Sequence, residues 1–150
     1  MKEKRNSLIK DEFLELYSKN KYIVEVKGYK VGQINALSVV DYGDYEIGRV
    51  NRVTVNTFCG TGNIINIDRE VGLSGNIFNK ATMILTGYIG ERFGQNSSLS
   101  FNASICFEQM YGEIDGDSAT LAETVALLSS LGEIPINQGI AITGSVNQKG

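Results

Sequence analysis

The chain has 150 residues, of which 42% are hydrophobic and 21% charged, so it is long enough for one domain with a hydrophobic core and too short for two ordinary domains. Its formal net charge of -3 gives no reason to expect a polyanionic partner such as nucleic acid. It contains no histidine, which excludes Ser-His-Asp and Cys-His catalysis and any histidine-ligated metal within the chain.

The cysteine pattern and the shortness of the apolar runs indicate the cellular compartment. Cys59 and Cys106 have no C-x-x-C partner, so the sequence predicts neither a disulfide framework nor a zinc site. No apolar run approaches the length of a signal-peptide core or a membrane span. We therefore expect a cytoplasmic protein with reduced cysteines and no membrane partner.

The first third of the chain changes its hydrophobic period near Tyr22. Residues 1–20 form a predicted N-terminal helical lead or linker, because apolar residues recur there at roughly helical spacing among Lys and Glu. From Tyr22 the period is two, which predicts strands over 22–27, 31–40 and 50–58, broken by Gly28 and by a turn at 41–44. We expect these strands to be antiparallel.

The glycine-rich segment Gly60-Thr61-Gly62-Asn63 separates the third predicted strand from a fourth at 64–68. A G-x-G pattern is compatible with a phosphate-binding loop, but the third glycine and the following helix of that motif are missing. The sequence therefore favours a hairpin turn.

The second half of the chain predicts two main helices. Apolar residues recur at steps of three and four over 77–93, which indicates a long amphipathic helix, and a strongly apolar helix is predicted over 119–131, ended by Gly132. Strands are predicted at 99–107 and 139–143. The order of elements favours an α+β fold, a mixed or antiparallel sheet packed with two main helices.

The polar segment 113–120 leads into the second predicted helix and is the densest candidate site. A calcium-binding EF-hand loop starting at Asp115 would require Gly at 120 and Glu at 126, where Thr and Ala stand, so the calcium interpretation fails. Ser118 is either an N-cap or a nucleophile. Because Thr120-x-x-Glu123 is itself a capping-box pattern, the helix could also start two residues after Ser118.

Several ordered motifs resemble one known family. Gly32-Gln-Ile-Asn35-Ala-Leu-Ser-Val39, Gly116-Asp117-Ser118-Ala119 and Ala141-Ile-Thr143-Gly144-Ser-Val146 are similar to the motif series of the proteolytic domain of Lon-type ATP-dependent proteases, in the branch with a G-D-S-A serine motif. The resemblance runs from about Tyr22 to Gly150. It implies a Lon proteolytic-domain-like fold over 21–150, incomplete at its C-terminus.

The resemblance implies a Ser-Lys dyad with Ser118 as the nucleophile. A neutral lysine amine would take the Oγ proton, the alkoxide would attack a peptide carbonyl, and water would resolve the acyl-enzyme. The family's lysine lies about forty residues beyond the serine, whereas 32 residues follow Ser118 here, so we expect the base beyond residue 150. Lys149 and Lys80 lack motif support, and the chain alone is expected to be inactive.

Three further residues are candidates for catalytic support. Asp115 and Asp117 either stabilise a latent state, since a carboxylate near the lysine would keep it protonated, or are solvated turn residues. Thr143 matches the family's T-G position after a strand, and it either supports the site or makes ordinary strand-end hydrogen bonds.

The leading hypothesis is therefore a serine endopeptidase domain that degrades unfolded or tagged polypeptides. The resemblance implies an ATPase partner in cis or in trans, with ATP and Mg bound outside this chain, no cofactor or metal within it, and a homo-oligomeric, hexameric ring. The alternative is an inactive fragment or degenerate homologue that acts as an assembly module. A third hypothesis, a nucleotide binder, depends only on Gly60-Thr61-Gly62.

Overall fold

A computed structural model of the protein describes residues 7–8, 10–12, 14–15, 18–19, 21–41 and 46–150. Within the predicted N-terminal segment, the described residues between 7 and 18 are helical and exposed, and the rest of that segment lies outside the described residues. The predicted turn at 41–44 also lies outside them, apart from the backbone of residue 41. In the described part of the chain, no helix has both the length and the apolar character needed to cross a membrane.

The structure is α+β, as predicted. In chain order its elements are β1 (Tyr29–Lys30), β2 (Gln33–Asp41), β3 (Glu46–Cys59), β4 (Ile64–Asn66), α1 (Ile67–Glu70), α2 (Asn76–Phe93), β5 (Phe101–Phe107), α3 (Thr120–Gly132), β6 (Ile136–Asn137) and β7 (Ala141–Ile142). Five strands form a mixed sheet in the order β4-β5-β3-β2-β7, and β1 pairs with β6. The β2–β3 and β3–β5 pairs are antiparallel, whereas β4–β5 and β2–β7 are parallel.

Helix α3 covers one face of the sheet. It packs on β2, β3 and β5, and α2 packs against α3 rather than directly over the strands. The core lies between these layers and is formed by alternate strand residues and by the inner faces of both helices, among them Ile34, Val53, Ile105, Leu85 and Leu127. Helix α2 reaches the end of β5 through Phe78, whose ring meets Phe107 edge to face with a centroid separation of 5.7 Å.

The glycine-rich turn is not a hairpin between neighbouring strands, so that prediction is wrong. Strand β5 lies between β3 and β4, and the turn carries the chain across the start of β5. Gly60 N and Gly62 N donate to carbonyls of Ser100 and Phe101, and Thr61 N and Asn63 N both donate to Asn102 Oδ1. Because these four N–H groups already have protein acceptors, the turn offers no anion cradle.

Two other predicted strands differ from the structure. Residues 22–27 do not form a strand. Their backbone groups bond locally or to side chains: Val24 N donates to the Tyr22 carbonyl, and Asn35 Nδ2 donates to the Glu25 carbonyl. The predicted strand at 64–68 stops at Asn66, whose side chain accepts a hydrogen bond from Arg69 N and so caps the one-turn helix α1. Within 64–68, the strand comprises the three residues 64–66 that pair with β5.

The end of α3 also differs in detail. Gly132 is the last helical residue, and the left-handed residue that terminates the helix is Glu133, with φ 52°. The Ile134 N–H then returns to the Ser129 carbonyl, which closes the last turn.

The two cysteines cannot bridge each other in this fold. Cys106 lies opposite Thr54 in the β3–β5 pair, and Cys59 is five residues further along β3. At about 3.4 Å per residue, that offset separates their Cα atoms by roughly 17 Å along the sheet. A disulfide needs Cα atoms less than about 7 Å apart.

Candidate active site

Ser118 lies in the turn that leads into α3, and its side chain is exposed. Helix α3 starts at Thr120 with Ala119 at the N-cap position, and no side chain caps it. Thr120 instead donates from both its N–H and its Oγ1 to the Asp117 carbonyl, at 3.1 and 2.5 Å. Gly116, at φ 95°, supplies the left-handed residue that this tight turn requires.

The backbone of Ser118 is fixed by the segment that contains Thr143. The Ser118 carbonyl accepts hydrogen bonds from Gly144 N at 2.7 Å and from Thr143 Oγ1 at 3.4 Å. The Gly144 carbonyl in turn accepts from Leu121 N at 3.0 Å. The structure therefore brings Thr143 and Ser118 together, 25 positions apart in sequence, at the end of the short parallel strand β7.

Ser118 borders a cleft of about 540 Å³. Its lining combines Leu37, Ser38 and Val39 of β2 with Gly48 and Arg49 of β3, the segment residues Met110, Glu113, Ile114 and Asp115, and finally Ser118 and Thr143. Three of the four candidate site residues thus share one cleft, and Asp117 is exposed outside its lining. No lysine lines the cleft within the described part of the chain.

The edge of β2 beside this cleft is open. Strand β7 pairs with β2 only at Asn35 and Ala36, so within the described ranges the rest of that edge has no strand partner. Val55 N donates to the Gly32 carbonyl, so Gly32 and Val55 form a hydrogen-bonded pair. From Gly32 onward, every second residue of β2 directs its backbone groups toward β3, and the residues between them direct theirs away from it. Leu37 and Val39 therefore direct their backbone N–H and C=O groups toward the open edge.

Lys149 and Lys80 both lie away from Ser118. Lys149 Nζ is 2.7 Å from Glu91 Oε1 on α2, and Lys80 is on the same helix, outside the cleft lining. Neither is positioned to take a proton from Ser118 Oγ, because proton transfer requires hydrogen-bond contact or one bridging water.

Asp115 has a structural contact that the sequence did not reveal. Its Oδ1 accepts from Phe78 N at 2.9 Å, so it caps the start of α2 from another segment, where the N-cap Gly75 has no side chain to do so. These backbone hydrogen bonds, from Phe78 first and then Gly116, hold the pKa of the Asp115 carboxyl below its ordinary value of 3.8. A side chain at Gly75 would collide with this carboxylate.

We expect Asp115→Ala to destabilise the fold by leaving the first turn of α2 without its acceptor and its negative charge. Because the folded pKa is depressed, the carboxylate stabilises the protein above its ordinary pKa, and this contribution is lost as pH falls through the folded value. Urea unfolding at pH 7 and at pH 3 measures it, with Asp117→Ala as the matched control. An equal change in both variants at pH 7 would contradict the capping role.

A buried carboxyl network lies behind the turn that carries Ser118. Glu123 is 1% exposed and accepts from Asn66 Nδ2 at 2.7 Å, so it does not complete the predicted capping box with Thr120. Burial, and secondarily the nearby Asp68, raises the pKa of Glu123 to about 8. Asp68 accepts from Phe107 N at 2.9 Å, and burial also raises its pKa. An acidic residue on the apolar face of α3 was the one sequence feature that could have revealed this network.

Cys106 is not an alternative nucleophile. Burial, together with the charges of Asp68 and Glu108, raises the pKa of its thiol to about 11. The thiolate, which is the reactive form, is therefore scarce at neutral pH.

The chain is similar in sequence to several known proteins. No protein-family model matches it. It is 40% identical over 144 residues to a Lon protease homolog of Escherichia coli strain K12, covering 95% of this chain and 24% of that protein. It is 44% identical over 129 residues to a Lon protease homolog of Haemophilus influenzae, covering 85% of this chain and 22% of that protein.

A third relative is an archaeal protein. The archaeal Lon protease of Archaeoglobus fulgidus is 28% identical over 141 residues, covering 93% of this chain and 22% of that protein. The chain therefore spans about a quarter or less of the length of these three relatives. Over most of its own length, this chain is homologous to members of the Lon protease family.

Proposed function

We propose that residues 21–150 belong to the proteolytic domain of a Lon-type ATP-dependent protease, with Ser118 as the nucleophile of peptide-bond hydrolysis. The observation that carries this proposal is the position of Ser118, which is exposed in a cleft beside the open edge of β2. Homology to Lon proteases supports it.

The open edge of β2 suits an extended polypeptide. A substrate strand beside Leu37 and Val39 would form hydrogen bonds with their outward backbone groups. Because this pairing involves only backbone groups of the substrate, it does not depend on the substrate sequence. The neighbouring side chains Met110 and Ile114 would then contact alternate substrate residues. Recognition mainly through the backbone suits an enzyme for unfolded or tagged chains, which is the substrate class we propose.

The turn before α3 offers donors for the developing oxyanion. The N–H groups of Ser118 and Ala119 make no hydrogen bond to any described residue, and they lie at the positive end of the α3 dipole. Such donors stabilise the negative oxygen of a tetrahedral intermediate. The hydrogen bonds from Gly144 and Thr143 to the Ser118 carbonyl hold this backbone in place, which is the supporting role that we propose for Thr143.

The base is a lysine that we propose lies outside these 150 residues. Its neutral amine would take the Oγ proton as Oγ attacks the peptide carbonyl, and its ammonium would return that proton to the leaving amine as the C–N bond breaks. Water then hydrolyses the acyl-enzyme. We further propose an ATPase partner that binds ATP and Mg outside this chain, and a hexameric ring.

A second candidate function is an inactive assembly module. The observation that favours it is that no lysine lines the cleft in the described part of the chain. The two candidates differ in one property, which is whether the full-length gene product supplies a base to Ser118.

Casein hydrolysis separates the two candidates. We expect the 150-residue chain to be inactive and the full-length gene product to hydrolyse casein, because an unassisted serine hydroxyl is a weak nucleophile. Serine-dependent hydrolysis by the 150-residue chain would place the base within it. Inactivity of the full-length protein, with its ATPase supplied with ATP and Mg, would favour the assembly module.

The latent-state hypothesis for Asp117 has its own test. Because Asp117 is exposed and outside the cleft lining, we expect Asp117→Asn to leave the pH profile of casein hydrolysis unchanged between pH 6 and 9, roughly the range in which a desolvated lysine titrates. A shift of the acidic limb in this variant, where activity rises as the lysine loses its proton, would show that the Asp117 carboxylate acts on the base.

A further inference from the structure

Residues 21–23 contact one wall of the cleft that contains Ser118 and the residue that precedes the other wall. On one wall, the guanidinium carbon of Arg49 lies 4.3 Å from the centroid of the Tyr22 ring. Next to the other wall, which begins at Met110, the side-chain amide of Gln109 accepts a hydrogen bond from Ile23 N at 2.7 Å and donates one to the Lys21 carbonyl at 2.9 Å. We call residues 21–23 the strap.

The Gln109 contact resembles one rung of a β-ladder. A single amide supplies both the acceptor and the donor that the strap backbone would otherwise find in a neighbouring strand. Gln109 has φ 55°, a left-handed conformation that is unfavourable for a residue with a Cβ atom. Gln109 is the third residue of a turn that Met110 N closes onto the Phe107 carbonyl at 3.3 Å, and the paired hydrogen bonds to the strap add two further contacts that hold its side chain.

One contacted residue lies in a cleft wall, and the other is next to one in sequence. Arg49 itself lines the cleft, and Gln109 immediately precedes Met110, which also lines it. The segment that begins at Gln109 continues through Glu113 to Ser118. The strap therefore joins the β3 wall to the start of the segment that ends in the candidate nucleophile.

We propose that the strap is a positioning device that sets the separation between the β3 wall and the wall that begins at Met110. The physical part of this proposal concerns the 150-residue chain alone, and its consequence for catalysis rests on the proposed function.

Amide hydrogen exchange on the 150-residue chain tests the Gln109 contact. Gln109→Ala removes both hydrogen bonds. Within 110–118 we expect the two hydrogen-bonded amides, those of Met110 and Ile114, to exchange about 5- to 30-fold faster, the range that corresponds to losing one or two hydrogen bonds. Residues 85–93 of α2 serve as the internal reference and should not change. Unchanged exchange at 110–118, or an equal increase in α2, would overturn the proposal.

Gln109→Asn is the matched variant. Asparagine tolerates positive φ better than most residues, so it relieves the backbone, but its side chain is one methylene too short to reach both strap groups. We expect it to accelerate exchange at 110–118 as Gln109→Ala does. Wild-type exchange in this variant would mean that backbone strain, and not the strap contact, matters at this position.

The Tyr22 contact is tested by two ring variants. Tyr22→Phe keeps the ring face under Arg49, so exchange at residues 47–50 should match the wild type, whereas Tyr22→Ala should accelerate it about two- to fivefold. An equal effect of the two variants would remove the ring contact from the proposal.

The catalytic consequence is measured on the full-length gene product with a fluorogenic peptide. We expect Gln109→Ala to raise KM several-fold and to leave kcat and the pH profile unchanged, because the strap shapes the wall and not the Ser118 chemistry. A fall in kcat with unchanged KM would overturn this consequence. If the wild-type protein shows no serine-dependent hydrolysis, the proposed function fails, and hydrogen exchange still decides the strap.

Discussion

Ser118→Ala in the full-length gene product is expected to lower casein hydrolysis by on the order of 10⁴- to 10⁶-fold, the loss seen when a member of a catalytic unit is removed. The reason is that Oγ is the atom that forms the acyl-enzyme. The other hydroxyls that line the cleft are already hydrogen-bonded, since Ser38 Oγ accepts from Asn51 Nδ2 and Thr143 Oγ1 donates to the Ser118 carbonyl. Cys106 is excluded because its raised pKa, about 11, keeps it protonated.

The fold should survive this substitution. Ser118 is exposed, and the turn before α3 is held by backbone groups of Asp117 and Ser118 and by the Thr120 side chain, none of which requires Ser118 Oγ. The urea midpoint of Ser118→Ala should therefore equal that of the wild type. This separates a catalytic loss from unfolding.

Thr120→Val is the matched control for the same turn. It removes the hydroxyl that donates to the Asp117 carbonyl and leaves the nucleophile in place. We expect it to lower the free energy of unfolding by about 1 kcal/mol and to retain serine-dependent hydrolysis. If Ser118→Ala cleaves casein as well as its parent, Ser118 is not the nucleophile and the proposed function is wrong.

Glu123→Gln is expected to stabilise the protein at pH 8 by several kcal/mol, with a smaller effect at pH 5. The folded pKa of Glu123, about 8, lies above its ordinary value of 4.5. Below pH 4.5 the group is protonated in both states and costs nothing. As pH rises toward 8 the unfolded state gains from ionisation while the folded state does not, so stability is lost across that window.

The magnitude follows from the width of the window. Each pH unit between the two pKa values is worth about 1.4 kcal/mol, so the loss from this one group approaches roughly 5 kcal/mol as an upper bound. Glutamine cannot ionise, and its Oε1 can still accept the hydrogen bond from Asn66 Nδ2. It therefore removes the pH-dependent cost and keeps the hydrogen bond from Asn66.

Urea unfolding at pH 5, 6.5 and 8 measures this effect, with a constant m-value as the check that both proteins unfold to the same extent. Glu70→Gln, at an exposed position at the end of α1, is the control for removing one negative charge. Equal pH slopes for Glu123→Gln and the wild type would show that Glu123 ionises normally in the folded protein.

The sequence alone determined the elements whose character is local. The steps of three and four over 77–93 predicted α2, and the strongly apolar run over 119–131, ended by Gly132, predicted α3, each to within one residue at both ends. Alternation predicted β2, β3 and β5. The ordered motifs predicted the relationship to Lon proteases, which the comparisons confirm.

Only the tertiary structure decided which segments meet. Periodicity reports which face of an element is buried but not its neighbour, so it could not place β5 between β3 and β4. It could not distinguish the backbone of 22–27, bound by Gln109 and Asn35, from a strand. The partners of polar side chains are decided in the same way, by contacts between distant segments.

The candidate site shows this division residue by residue. Motif spacing selected Ser118 and Thr143, and the fold brings them together through the Ser118 carbonyl. The same loop sequence could not reveal that Asp115 caps α2, because Phe78 is 37 positions away. Nor could it show Glu123 buried against Asn66, 57 positions away, because the energy of burying a charge depends on what the fold packs around it.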